Sequence, residues 1–451
     1  MNKHSFSIRN MKEIQDNIWK IDKQGKMNVP GFIFASAKLM KNIKSDGKTI
    51  EQVKNVACLP GIVEKSIALP DCHQGYGFPI GGVAAFDSES GIVSPGGVGY
   101  DINCGVRLIK TSLTTEDFMF KRNSILSDIS KKVPAGLGHD SLLKLSDSEL
   151  DELLETGVNW AVKNNYALPE DVERIEDNGC IKGAKASKVS ARAKARGRKQ
   201  LGTLGSGNHF LEIQIVQDIF NPETAKILGL KKDQIVIMIH SGSRGLGHQT
   251  ASDYIQRFEK IYGFSHLPDR ELISAPLKSM DAKDYLSAMA AAANFAFVNR
   301  QLMTFHIRSV FQKFFPHAKL DIVYDIAHNI AKFESHSING KECNLCVHRK
   351  GATRSFGPGR SEIPKAYRNI GCPIFIPGSM GTFSYVLVGT KKAEQLTFGS
   401  TAHGAGRLLS RSYAVKNLNV DNIKSDLAKY DVSINAKSTK GLVEEAPQAY
   451  K

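Results

Sequence analysis

The sequence lacks a cysteine framework. Its seven cysteines, at 58, 72, 104, 180, 343, 346 and 372, form an odd and scattered set, which excludes a disulfide-stapled scaffold and points to a reducing, cytoplasmic compartment. An apolar leader is also missing: Met1-Asn2-Lys3-His4-Ser5-Phe6 is polar and basic where a signal peptide carries a hydrophobic run. The longest apolar stretch, 279–315, is broken by Asn294, Asn299, Arg300, His306 and Arg308, so it reads as a buried helix and not a membrane span. There is no repeat of fixed period, no low-complexity linker and no clear domain boundary. The common nucleotide motifs are incomplete. Gly47-Lys48-Thr49 has Asn42 where a P-loop needs glycine, and Gly242-Ser243-Arg244-Gly245-Leu246-Gly247 has the wrong spacing for a dinucleotide fingerprint. Lys44-Ser45-Asp46-Gly47 matches the KxDG of lysine-nucleophile ligases but has no companion motif, and reads as a chance match in a polar turn.

What is present starts with charge. Sixty Lys and Arg against 45 Asp and Glu leave +15, which favours a polyanionic partner. Residues 182–199 carry eight Lys/Arg and no acid. Lys182, Lys185, Lys188, Arg192, Arg196 and Lys199 recur every three or four residues, a basic stripe if helical and a surface for a phosphate backbone. Thr49-Ile50-Glu51-Gln52 reads as a capping box opening a helix to about Leu59, Thr114–Asp117 opens one to about Lys132, and Ser146–Glu149 caps a third. Strand candidates recur from 62–69 to Tyr385–Val388, and those near both ends share one core. The chain therefore reads as one large α+β domain over 1–451, with 114–200 a helical subdomain.

Residues 93–108 frame Asp101 and Cys104 with four glycines and a proline, between strand-like flanks. On its own this is equally a tight turn around a small buried thiol or a rigid site. Elsewhere His209, His240, His328 and His403 sit beside glycines at strand ends, where sites collect. One carboxylate, one thiol and three imidazoles make a mixed metal site: thiolate and imidazole favour zinc, the default, while the carboxylate tilts toward harder manganese or iron, and a thiolate can bridge two ions. Cys343-Asn344-Leu345-Cys346 has no second pair and reads as strand packing; Cys72-His73 has no spaced partner. A nucleotide must rest on the glycine loops 377–381 and 403–407, with Arg407 placed to clamp a phosphate.

Together these residues resemble the RtcB family, the GTP- and manganese-dependent 3′-phosphate RNA ligases. The resemblance is carried by Pro70–Pro79, Gly99–Arg107, Gly205–Phe210, His240–His248, Asp325–Asn329, His348–Arg354, Pro377–Thr382 and His403–Arg407. It implies a sandwich of mixed and antiparallel sheets flanked by helices. It implies two Mn²⁺ ions in place of zinc, bridged by Cys104, with Asp101 and His209 on one and His240 and His328 on the other. His403 would be the nucleophile that takes GMP from GTP. Asn208, His209, Phe210, Leu211, Glu212, His328, Asn329, Pro377, Gly378, Ser379, Met380, Ser384, His403, Gly404, Ala405, Gly406 and Arg407 would form the guanylate pocket. RNA with 3′-phosphate or 2′,3′-cyclic phosphate and 5′-hydroxyl ends would be joined, in tRNA splicing or RNA repair. Lys185, Lys188, Arg192, Arg196 and Lys350 would contact the RNA. A monomer is expected, with no membrane and with an archease-type activator as a partner.

Two departures stand out: Cys72, where the family often has a small or apolar residue, and an end at Ala446–Lys451 where the family continues to a guanine-contacting Lys-Gly. The latter reads as a truncated or shortened chain. It rests guanine specificity on less than the His403 chemistry. Two competing readings are a metal-dependent cyclic phosphodiesterase, which needs no nucleotide, and an RNA-binding module inactive through loss of the tail.

Overall fold

Pairing of half-buried strands builds two sheets that meet at one residue. The computed structural model describes residues 10–136, 141–436 and 438–451. A seven-stranded sheet runs Met11–Gln15, Ile18–Ile21, Gly31–Phe34, Ile62–His73, Ile80–Asp87, Lys341–Lys350, Asn329–Ile338. Its neighbours are antiparallel except Gly31–Phe34 against Ile62–His73. A four-stranded antiparallel sheet runs Leu320–Ala327, Gly105–Thr114, Gln234–Ser241, Phe210–Ile215. The expected α+β class with mixed and antiparallel sheets is what the chain forms. His328 alone separates Leu320–Ala327 of one sheet from Asn329–Ile338 of the other.

Several strands run further than their apolar cores suggest. Ile62–His73 continues through Pro70-Asp71-Cys72, Gln234–Ser241 includes His240, and Leu320–Ala327 includes Asp325. Backbone pairing extends these strands past the point where their side chains turn polar, because the polar side chains find partners in the interior. Cys346 is buried and Cys343 half-buried on Lys341–Lys350. Three residues apart on a strand, their side chains leave opposite faces, so they pack and do not chelate.

Helix ends follow local capping chemistry. The Ser146 box forms as expected, and so does the Thr114 box. The second helix stops at Met119 and a new one, Arg122–Lys132, follows. The Thr49 box does not form: the helix starts at Lys48 after Gly47 (φ +68°), and the Thr49 N–H donates to Asp46 Oδ2 at 3.3 Å. Lys44, of the KxDG match, lies over the Trp19 ring at 4.5 Å.

The basic stripe is not one helix. Gly183 takes φ +83° and Ser190 caps a short helix, Ala191–Arg198. Nor is it unbalanced in space. Lys188 pairs with Asp284 at 2.7 Å, Lys194 with Asp151 at 2.7 Å, and Arg198 with Asp147. These acids come from helices far along the chain, which a local charge count misses. Lys185 and Arg192 stay exposed and make no ion pair among the described residues.

The apolar stretch forms the helix Met280–Phe314, and among the described residues no helix is long and apolar enough to cross a membrane. The polar residues that interrupt it are its working surface. Asn294 accepts from the Ile181 N–H at 2.7 Å, and Asn299 accepts from the Gly202 N–H at 2.7 Å. Arg300 grips both oxygens of Asp325, at 2.8 and 2.7 Å, and donates to the carbonyls of Asn103 and Ser241 at 2.9 and 2.8 Å. Arg107 donates to the same carboxylate at 2.7 Å. All three charged groups have no exposed side-chain surface.

Breaking a buried pair from one side leaves a charge unpaired and costs about 3–5 kcal/mol. Asp325→Ala is therefore expected to lower unfolding free energy by about that amount in denaturant titration. Burial favours the neutral Asp325 carboxyl, but the Arg300 and Arg107 charges outweigh it and hold its pKa below the ordinary 3.8. The unfolded chain thus takes up this proton first as pH falls. The contribution of Asp325 to stability is complete above that ordinary value and declines below it; denaturation midpoints across pH 2–6 test this sign.

Candidate metal centre and nucleophile

Strand register brings the candidate ligands to one edge. Gly105, next to Cys104, pairs with Ala327 on one side and Ser241 on the other. His328 follows Ala327, while His240 pairs with both Val106 and Phe210, the residue after His209. The loop before Cys104 is fixed by Asn103 in the left-handed region (φ +53°). Its N–H donates to the Asn329 carbonyl at 2.8 Å and its amide to the Ala293 carbonyl at 2.7 Å. The turn thus rests on an asparagine as well as on glycines, and asparagine is the side chain that best tolerates this region.

The five side chains fall into two linked groups. Asp101 Oδ2 lies 2.9 Å from His209 Nε2. His240 Nε2 lies 3.2 Å from His328 Nε2. Cys104 Sγ touches both groups, at 3.3 Å from His209 Nε2 and 3.2 Å from His240 Nε2. Sγ and the Nε2 atoms of His209 and His240 all lie within 4.8 Å of one another, close enough to share an ion.

Electrostatics agree with that donor set. Burial, with help from the Asp101 charge, pushes the Cys104 thiol well above its usual value. Burial holds His240 and His328 well below theirs, so both rings are neutral. Burial opposes ionisation of Asp101 too, but His209 outweighs it and keeps the carboxylate charged. Neutral imidazoles whose Nε2 atoms face each other and a sulfur offer lone pairs with too few protons to share. A divalent ion satisfies such a set, and the residues fit it.

His403 stands next to this cluster, its ring centroid 4.6 Å from that of His328. Its Nδ1 lies 2.6 Å from Asp71 Oδ2, and its backbone N–H donates to the same oxygen at 3.0 Å. Asp71 is buried at the end of Ile62–His73. With Nδ1 carrying the proton toward Asp71, Nε2 keeps a free lone pair. Gly351 (φ +62°) lets this loop pass close to the strand at Ile80 and to the ring: a Cβ there would come 2.5 Å from Ile80 Cγ2 and 3.1 Å from His403 Cε1. Asp71 was not singled out from the sequence, although it lies in the first motif, Pro70–Pro79. Only its position across from His403, 332 residues away, reveals its part.

A cavity of about 860 Å³ opens at this edge, lined by Asp101, Cys104, Asn208, His328, Asn329, Lys350, His403, Ala405 and Arg407 among others. The two expected glycine loops do meet. The Ala405 N–H donates to the Pro377 carbonyl at 3.1 Å, and the Gly378 N–H to Ser384 Oγ at 3.1 Å. Gln214 bridges Ser384 and Glu212, at 3.3 and 2.7 Å. Burial raises the Glu212 carboxyl to about 7. Ser379 and Met380 are half-buried on the same loop, Gly404 packs against Pro377, and Phe210 packs edge-on against His240.

Arg407 is engaged elsewhere. It donates to Glu445 at 3.0 Å, to the Glu444 carbonyl at 2.8 Å and to the Tyr450 hydroxyl at 3.2 Å. Its fork holds the segment 444–450 and is not free to clamp a phosphate bidentately in this arrangement. Lys350 is buried, donates to the Tyr76 carbonyl, and is lowered by burial to about 7. It belongs to the cavity and not to an outer RNA surface.

A thiol–imidazole cluster that could hold a metal ion, beside an imidazole with one nitrogen held by a buried carboxylate, marks the site as that of an enzyme. Comparison with known proteins gives the family. A profile described as tRNA-splicing ligase RtcB matches residues 52–451. The chain is 50% identical over 449 residues to the tRNA-splicing ligase RtcB of Thermococcus kodakarensis, covering 98% of this chain and 93% of that protein. It is 51% identical to the proteins of the same name from Pyrobaculum aerophilum, over 97% of this chain and 93% of that protein, and Nanoarchaeum equitans, over 98% and 93%. The chain belongs to the RtcB family.

Replacing the shared sulfur tests the cluster. Cys104→Ala is expected to lose most bound divalent metal, read by elemental analysis after dialysis against Mn²⁺, while Cys346→Ala on the distant strand retains it.

Proposed function

We propose that this protein is an RNA ligase of the tRNA-splicing type, joining RNA 3′-phosphate or 2′,3′-cyclic phosphate ends to 5′-hydroxyl ends with GTP and Mn²⁺. Family membership supports the ligase class. The observation that carries the chemistry is the Asp71–His403 pair beside the cluster.

Asp71 holds the Nδ1 proton of His403 and fixes the ring, as the carboxylate of a catalytic triad does. His403 Nε2 then attacks the α-phosphorus of GTP. An N–P bond forms, the bond to the β-phosphate oxygen breaks, and pyrophosphate leaves. An oxygen of the RNA 3′-phosphate next attacks the same phosphorus, the N–P bond breaks, and His403 is restored. The 5′-hydroxyl of the second RNA attacks the activated 3′-phosphate, loses its proton, and GMP departs. A cyclic end is first opened by water to the 3′-phosphate.

Asp101, Cys104, His209, His240 and His328 would hold two manganese ions, with Cys104 between the groups. Bound there, the metal supplies charge neutralisation and alignment for phosphoryl transfer. Asn208, Asn329 and Lys350 reach the cavity beside the cluster, where amide and amine donors can orient phosphate oxygens. The loops 377–381 and 403–407, with Ser384 and Glu212 behind them, are the wall for the guanylate. Arg407 serves that wall by holding 444–450 in place.

Incubation with GTP and Mn²⁺ is expected to raise the protein mass by one GMP. The adduct is absent in His403→Ala. Turnover of cyclic ends without nucleotide and without joining favours the phosphodiesterase reading instead. Asp71→Asn presents an amide to Nδ1 and disfavours the tautomer that frees Nε2. Adduct formation is expected to slow by about 10²–10⁴-fold, with metal content unchanged.

A further inference from the structure

The cavity wall beside Asp101 carries aromatic rings that neither the cluster nor His403 explains. Tyr100 precedes Asp101 and lines the cavity together with Tyr76. The Tyr100 ring stacks on His248, with centroids 4.7 Å apart and planes at 23°. Tyr76 meets Tyr100 edge-on at 5.3 Å and 67°. His248 is exposed, in the second turn of the helix Arg244–Tyr262.

Next along the surface come cations. The helix Ala191–Arg198 packs on Arg244–Tyr262, with Gly197 against Leu246 and Gly245 against Arg196. Arg192 and Arg196 are exposed there. Arg192 has no ion pair among the described residues, and Arg196 donates to the neutral amide of Gln249 at 2.8 Å. The Arg196 charge is close enough to His248 to act with burial in lowering its pKa. The path outward from Asp101 therefore crosses two stacked rings and then reaches cations that no acid among the described residues pairs with.

That order, ring then cation, suits single-stranded nucleic acid. Every base has a face to stack, and the phosphates that follow need positive charge. We propose that Tyr100 and His248 form a base-stacking step for the RNA strand whose end lies at the metal centre, with Arg192 and Arg196 taking its next phosphates. The proposal rests on the RNA-ligase reading and adds where a strand enters and how its end is held. Stacking ignores base identity, so the step accepts ends of any sequence.

The test uses the full chain and short single-stranded RNA with 2-aminopurine, a base whose fluorescence falls on stacking. The probe is placed in turn near the 5′-hydroxyl and the 3′-phosphate end. Quenching is expected at one terminal position in the parent, lost in His248→Ala and kept in His248→Phe. Affinity is expected to fall by roughly 5- to 150-fold in His248→Ala, the range one base–aromatic stack supplies, and to recover in His248→Phe. An RNA abasic at that position should bind the parent as weakly and lose nothing more in His248→Ala. Equal affinity and quenching in the parent and His248→Ala overturn the step, as does a His248→Phe protein as weak as His248→Ala. A parent chain that binds no RNA overturns the step and the ligase reading together.

Discussion

One buried carboxylate shared by two arginines holds the candidate centre in shape. Asp325 is gripped by Arg300 and Arg107, and the same Arg300 fork reaches the carbonyls of Asn103 and Ser241. Those carbonyls lie one residue from Cys104 and one from His240. Arg107 spends its remaining reach on Gln301 and Thr304, at 2.6 and 2.9 Å. Two strands, the loop before Cys104 and the long central helix are thus tied at one point behind the ligands. Desolvating three charges is expensive and contributes little net stability. What the network supplies is position: Arg300 ties the Asn103 turn to the end of strand Gln234–Ser241, beside the ladder pairing of Gly105 with Ser241.

Much of the site was readable because chemistry-bearing residues carry their own surroundings with them. Asp101, Cys104 and the four histidines each sit beside glycine or a strand end; register across the four-stranded sheet brings Cys104, His209, His240 and His328 together, and the pairing of Ala352–Arg354 with Ser400–Ala402 brings His403 up to them. The α+β class followed from the strand pattern and the capped helices. What escaped was everything decided by distance along the chain. The acids that answer Lys188, Lys194 and Arg198 lie in other helices. Arg407 reads as a phosphate clamp until Glu444, Glu445 and Tyr450 fold back onto it. Asp71 looks like a turn residue until the strand carrying it meets His403. A local pattern reports what a residue can do; only the fold reports which partner claims it.

The arginine, asparagine and glutamine residues inside Met280–Phe314 make the same point from the other side. By composition they spoil an apolar helix, and they exclude a membrane span for that reason. In the fold three of them satisfy backbone groups around the site: Asn294 at 181, Asn299 at 202–203, and Arg300 at 103 and 241. Loops buried near a site leave polar backbone atoms that need partners. The polar positions of the central helix are those partners.

The cluster itself is arranged for positive charge that the protein does not provide. Arg107 and Arg300 outnumber Asp325 by one, yet that surplus lies behind the ligands and already serves the scaffold. In front, burial keeps the Cys104 thiol protonated and the His240 and His328 rings neutral. Each of those costs reverses if a cation sits among the donors, because a metal ion favours the thiolate and the free imidazole lone pair. The His403 ring, held by Asp71, lies 4.6 Å from that of His328, so the candidate donors and this imidazole sit side by side in one electrostatic environment.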